Sequence, residues 1–294
     1  MSRVVCLMLF LFLLVASSVG GTLVQFRIPF QGDVEVELYD QDKPITVRNF
    51  VRYVKSGLFT NNVFFHRCLP GFVLQGGGFG TVDRAARYDF LTGGTVFRLP
   101  TFAPIKNEFN VGRRLSNTYG TIAMAKTTDP DSATSQYFFN LTNNAASLDN
   151  TNNSGGFTVF GHVVRGTNVL NYFNTINKTG PLGIVDMRWW YGGGTAYDVF
   201  SDLPVAFDGP AYPRNDQLIY VDVSLLNVQV RLVGGAREIS WNSVAGKFNH
   251  VEYTTVLPPV WQLLQSVNGT GATMKVTDSS TTAARRFYRV RVDY

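Results

Sequence analysis

Residues 64–80, FFHRCLPGFVLQGGGFG, set a histidine and an arginine side by side among aromatics, then a glutamine and a run of glycines. The glycines of Gln75-Gly76-Gly77-Gly78-Phe79-Gly80 could cradle a phosphate. The stretch lacks the Lys-Ser/Thr of a P-loop, however, and the Gly-x-Gly-x-x-Gly lead into a helix. They read instead as backbone that turns tightly or passes close to a pocket. A zinc site needs clustered ligands, and His66, His162 and His250 are far apart, with no His-x-His or Glu-x-x-His spacing. A hydrolytic triad needs a nucleophile elbow, and no serine sits in Gly-x-Ser-x-Gly. His66 therefore reads as a hydrogen-bonded structural histidine. Cys68 has only Arg67 beside it to lower its pKa, and reads as a small buried apolar residue next to a pocket. What remains is Arg67 amid Phe64, Phe65, Phe72, Val73 and Leu74, with Gln75 on the same stretch. In a strand, alternation would make Arg67 a cation at the wall of an apolar pocket. The same residues also suit an arginine lying across a hydrophobic surface.

Elements that could position these residues are legible along the chain. TLVQFRIPFQGDVEVELYD (22–40) alternates apolar and polar residues and predicts a β-hairpin turning at Gln31-Gly32-Asp33. KPITVRNFVRYVKSGLF follows, with Pro44 suited to a first helical turn, Val47, Phe50, Val51 and Val54 at helical spacing, and Gly57 as the stop. Short β-rich runs come next: NVFFHRC, FVLQGG, GTIAMAK, SQYFFNL and FTVFGHVV. RGTNVLNYFNTI restores helical spacing, and QLIYVDVSLLNV predicts a closing strand. A mainly β domain with about two flanking helices suits a closed barrel better than a parallel α/β sheet. Two loops are long: 80–103, with Gly93-Gly94, and 140–156, which carries six asparagines. Beyond about residue 228 the texture shifts to short alternating strands, VQVRLVGG, REISWNSV, HVEYTTVL, VWQLLQSV, ATMKVTD and RFYRVRVDY, which predict a small β-sandwich. Trp241 and Tyr288 read as its core aromatics.

Composition narrows the class. Of 294 residues, 45% are apolar and 16% charged, the balance of a globular protein with a sizeable core. The net charge of +5 is spread along the chain rather than striped, which argues against a nucleic-acid partner. Residues 1–21 read as an export signal: Arg3, the apolar run Val4–Val15, then mostly small residues, with cleavage after Ser18 or Gly20. Cys6 lies inside that run, and no later stretch reaches 18 apolar residues, so the expectation is an exported protein without a membrane span, destined for periplasm, cell surface or medium. Cys68 would then be the mature chain's only cysteine, leaving no internal disulfide.

Taken in order, FHRCLPGFVLQGG, GTIAMAK, SATSQYFFN, SLD and FTVFGHVVRG, with KPITVRNF and PIKNEF, closely resemble the cyclophilin family of peptidyl-prolyl isomerases, most of all its secreted bacterial branch. The resemblance covers roughly 22–228. It implies an eight-stranded antiparallel barrel capped by two helices, an active groove on the outer face, no cofactor, and proline-containing peptides of unfolded exported proteins as partners. Carried over residue by residue, it implies that Arg67 is catalytic and that Gln75 binds substrate backbone. Phe72, Val73, Phe138 and Leu148 match walls of the proline pocket, with Gln136 beside it, while Ala125 falls where groove backbone pairs with the peptide. His66 matches a structural histidine next to the site. The sequence departs from the common pattern at Val73 (often Met), Lys126 (often Asn) and Phe157 (often His), the last also expected in the substrate site. Ser147 stands where many members carry Trp, so weak binding of ciclosporin is expected. Residues 229–294 resemble fibronectin type III-like modules of exported bacterial proteins. Two other readings remain open at this level: a non-catalytic peptide-binding or chaperone module, and a scaffold in a surface assembly.

Overall fold

The computed structural model describes residues 22–60, 62–87, 95–176, 182–188, 199–206, 213–226, 228–243, 246, 248–257, 259–270, 272–280 and 285–292. The expected export signal at 1–21 and the Gly93-Gly94 pair lie outside the described residues. Strands β1 (Leu23–Ile28) and β2 (Gly32–Leu38) form the expected hairpin, with Val24, Phe26, Ile28, Val34, Val36 and Leu38 all buried. The turn comes earlier than the pattern suggested. Gly32 already pairs with Ile28 and Asp33 with Arg27, because Pro29, which has no N–H and a fixed φ, ends the first strand.

Helix α1 (Pro44–Lys55) begins on its proline and buries Thr46, Val47, Asn49, Phe50, Tyr53 and Val54 as one stripe. Its first turn is capped from a distance: the Glu108 carboxylate accepts the N–H groups of Ile45 (3.1 Å) and Thr46 (2.7 Å). Lys43, fully buried, returns the favour by donating to the carbonyls of Glu108, Phe109 and Val111.

The barrel continues with β3 (Arg67–Leu69) and β4 (Val73–Gly76), then, after β5 (Phe79–Thr81) and β6 (Val96–Arg98), which form a separate two-stranded sheet, with β7 (Thr121–Met124) and β8 (Tyr137–Asn140). A one-turn helix α2 (Ala145–Leu148), strand β9 (Val159–Arg165), helix α3 (Thr167–Thr175), the strand pair β10 (Leu182–Val185) and β11 (Leu203–Ala206), and β12 (Asp222–Leu226) complete it. Eight strands make one antiparallel sheet in the order β12-β1-β2-β9-β7-β8-β4-β3. The sheet curls until its ends meet: Phe65 N–H donates to the Ile219 carbonyl and Val221 N–H to the Val63 carbonyl, both at 2.9 Å. Inside lie Phe26, Phe50, Tyr137, Phe139 and Phe160 with the apolar faces of α1 and α3, the two helices expected. The short α2 occupies what the sequence suggested was plain loop. The 80–103 segment likewise starts and ends in paired strands, β5 with β6. With β11 and the residues just before β12 they build a second apolar cluster, Phe64, Phe79, Met187, Phe200, Leu203 and Tyr220, against the barrel wall.

All six C-terminal runs are strands: β13 (Gln229–Val233), β14 (Ala236–Asn242), β15 (Phe248–Thr254), β16 (Gln262–Asn268), β17 (Thr273–Asp278) and β18 (Phe287–Val292). They form two three-stranded sheets, β13-β14-β17 and β16-β15-β18. Ile239, Trp241 and Val276 from the first pack on Val251 and Val290 from the second. Trp241 is buried with its indole N–H donating to Asn249 Oδ1 at 3.0 Å, and Tyr288 donates its hydroxyl to Asp278. Among the described residues no helix is long and apolar enough to cross a membrane.

Candidate active site

Strand register brings the chemistry of 64–80 into line with residues far along the chain. Arg67 on β3 pairs with Gln75 on β4, Gln75 with Phe138 on β8, Phe138 with Ala123 on β7, and Ala123 with Val159 on β9. Because side chains alternate across a strand, this row points out of the barrel while its neighbours Cys68, Leu74, Phe139 and Ile122 point into the core. Above the row lies a cavity of about 270 Å³. Arg67, Phe72, Val73 and Gln75 line it from β3, β4 and the turn between them; Ala125, Phe138, Leu148 and Phe157 line it from the other side, joined by Lys126. Val73, Phe138 and Leu148 are buried, and Phe157 meets Phe138 edge to face at 6.0 Å, so the floor and far wall are apolar.

Two of the residues singled out in the sequence stand behind the cavity rather than in its wall. Gln136 accepts the Gln75 side-chain N–H at 2.8 Å, which fixes the glutamine that does face the cavity. His66 is buried with its ring edge-on to Phe79 at 5.0 Å. Burial pushes its pKa down to about 3, against the opposing effect of a hydrogen bond with Gln136, so the ring is neutral. Cys68 is buried, donates to the Phe173 carbonyl and has its thiol pushed up to about 12 by burial, which makes it inert.

The walls are tied from behind by asparagines that the sequence presented only as loop composition. Asn144 Nδ2 donates to the Phe72 carbonyl and to Asn140 Oδ1, both at 2.8 Å. Asn140 donates on to Asn117 Oδ1 (3.1 Å) and Thr121 Oγ1 (2.9 Å). Asn117 in turn donates to the Phe157 carbonyl (3.0 Å) and to Asp149 Oδ1 (2.8 Å) at the end of α2. Each amide uses both of its protons, so the network is satisfied while it positions Phe72, Leu148 and Phe157.

A further residue was not legible in the sequence. Asp202, just before β11, puts its carboxylate 3.8 Å from Arg67 Nε. Its own backbone is anchored on the same strand, since Cys68 N–H donates to the Asp202 carbonyl at 2.7 Å, and Ser201 Oγ donates to the carboxylate at 2.8 Å. Arg67 keeps its side chain about one-third exposed, at the rim of the cavity. The arrangement is an apolar slot with one amide and a preoriented cation along its edge. It offers a small ring a place to sit and a donor beside it.

Residues 23–188 match the family described as cyclophilin type peptidyl-prolyl cis-trans isomerase/CLD. The chain is 40% identical over 159 residues to a peptidyl-prolyl cis-trans isomerase of Acinetobacter baylyi, covering 54% of this chain and 75% of that protein. It is 42% identical over 152 residues to peptidyl-prolyl cis-trans isomerase A of Dickeya dadantii (51% and 71%). With peptidyl-prolyl cis-trans isomerase B of Escherichia coli the identity is 40% over 161 residues (52% and 84%). The chain belongs to the cyclophilin-type peptidyl-prolyl cis-trans isomerases, enzymes that bind proline-containing peptides. Asp202 and the C-terminal sheets lie beyond the matched segment.

Two outcomes follow from this geometry. A partly exposed ion pair is worth about 0.2–1 kcal/mol. Asp202→Asn should therefore lower kcat/KM about 1.4- to 5-fold by loosening Arg67; an unchanged or raised value, read by exchange NMR on an X-Pro peptide, would count against the pairing. His66 binds a proton in the unfolded chain near pH 6.5 but in the folded protein only near pH 3. Stability should fall on acidification through that window, by at most about 1.4 kcal/mol per pH unit. Urea unfolding between about pH 5 and 6.5, where carboxylates stay mostly ionised, should show the decline, and a flat midpoint would contradict a buried neutral ring.

Proposed function

We propose that this isomerase accelerates X-Pro rotation in exported proteins, with Arg67 as the catalytic group and the row behind it holding the peptide. Rotation is slow because amide resonance must be lost, a barrier of roughly 18–20 kcal/mol. In the twisted transition state the proline nitrogen becomes pyramidal and gains a lone pair. A donor already aimed at that nitrogen binds the twisted state better than either planar isomer. The observation that carries the reading is Arg67 at the rim of a slot whose floor, Val73, Phe138 and Leu148, is apolar and buried. Phe72, Phe138 and Phe157 hold the pyrrolidine ring, Gln75 binds peptide backbone, and the backbone at Ala125 pairs with the peptide. Arginine keeps its protons throughout, so the step needs no nucleophile and no proton transfer.

The leader read in residues 1–21 supports export, and unfolded exported chains are then the clients. For residues 229–294 we propose a separate fibronectin type III-like attachment module following an isomerase domain of 22–228. Its two sheets and the cluster around Trp241 support that division.

Arg67→Ala should cost roughly 2.7–4 kcal/mol of transition-state stabilisation, about 10²–10³ in rate, by analogy with oxyanion donors. Peptide affinity should fall far less, and Arg67→Lys should rescue little because an ammonium lacks the planar fork. Titration of an X-Pro peptide alongside exchange NMR separates the two effects; near-normal turnover, or equal loss of rate and binding, would overturn the assignment. Ser147 is an exposed residue of α2. It supplies neither the area nor the indole N–H of a tryptophan, a contact worth about 2–4 kcal/mol at an interface centre. Ciclosporin should inhibit weakly and Ser147→Trp should strengthen it; tight inhibition of the unmodified protein would contradict this.

A further inference from the structure

We propose that Lys126 makes the groove select peptides with a carboxylate side chain close to the X-Pro bond. The proposal rests on the isomerase reading and adds a charge requirement to its substrate. Lys126 follows Ala125 and lines the same cavity as Arg67. Arg67 has Asp202 beside it, but among the described residues no carboxylate lies within ion-pair distance of Lys126. The residues lining the cavity thus include two cations and no acid.

The ammonium is also held still. It sits 4.2 Å from the centre of the Phe157 ring, and it donates to the Ser154 carbonyl. Phe157 is itself fixed through its carbonyl by Asn117. A ring face and one carbonyl restrict the stem and use one of three N–H donors, leaving two for a ligand. Little side-chain freedom remains to be lost when a carboxylate binds. Burial in the groove disfavours the charged amine, against a weaker opposing pull from the Asp129 carboxylate, so an incoming anion restores part of what solvent no longer supplies. A peptide lying across Val73 and Phe138 passes within reach of this group, and a basic side chain there meets repulsion from Arg67 and Lys126 together.

The test uses the full chain and X-Pro peptides carrying Glu, Gln or Lys in turn at the two positions before and the two after proline. The ratio of kcat/KM for each Glu peptide to its Gln isostere is the readout, by exchange NMR at low and high salt. For at least one position the wild type should favour Glu about fivefold, the range of a partly exposed ion pair, and the preference should shrink as salt rises. Lys126→Gln should bring the ratio to about one, and Lys126→Glu should invert it in favour of the Lys peptide. Equal rates for Glu and Gln peptides at every position overturn the proposal while leaving the isomerase reading intact. So does a Glu preference that survives Lys126→Glu. Absence of turnover for every peptide overturns both.

Discussion

One transverse row of the sheet, Arg67–Gln75–Phe138–Ala123–Val159, is the constraint on which the site depends. Its register cannot slip by a single residue, because the adjacent row, Cys68–Leu74–Phe139–Ile122–Gly161, is the barrel interior. A slip would exchange the two rows, turning Arg67 into the core and Phe139 to the outer face. The core enforces the pairing: Leu74, Phe139 and Ile122 are fully buried, and a Cβ at Gly161 would come 2.8 Å from the Glu37 carbonyl oxygen. The packing energy of the interior therefore sets the aim of residues that make almost no contribution to it.

Apolar matter on both faces of β4, β7 and β8 is the second consequence of that row. A barrel strand that faces solvent outside should alternate, yet Thr121–Met124 and Tyr137–Asn140 are buried at every position. Their outward residues are covered by the loops that carry Phe72, Leu148 and Phe157. Beyond that packing, those loops are held by the chain Asn144–Asn140–Asn117–Asp149. Side-chain amides do there what a strand ladder does elsewhere, satisfying the carbonyls of Phe72 and Phe157.

Period-two and period-3.6 patterns made most of this legible from sequence: the first hairpin, α1, α3, the barrel strands and all six C-terminal strands. The cluster around Arg67 was legible because Phe72, Val73 and Gln75 are local to it. What escaped depends on distance. Asp202 reaches Arg67 from a segment with no alternation to mark it as a strand. The asparagines of 140–156 looked like loop composition, since nothing in their spacing reveals which carbonyls they meet. Gln136 looked like a groove residue, but its amide is turned to Gln75. Lys126 was visible as a departure from the family pattern, while the ring and carbonyl that hold it are properties of the folded loop.

Closure of the barrel also bears on how the chain reaches its native state. The strands that build the site run from Arg67 to Arg165, but β1 finds its second neighbour only when Leu23 meets Leu226. The seam between Phe65 and Ile219 is comparably non-local. Contacts of that span form late and slowly, since their chain entropy is lost before any pairing repays it. On a chain emerging from its N-terminus, the β1–β2 hairpin must wait until β12 is made with one hydrogen-bonding edge open, a template for pairing with other chains. This peptidyl-prolyl isomerase thus has a slow, aggregation-exposed step of its own written into its topology.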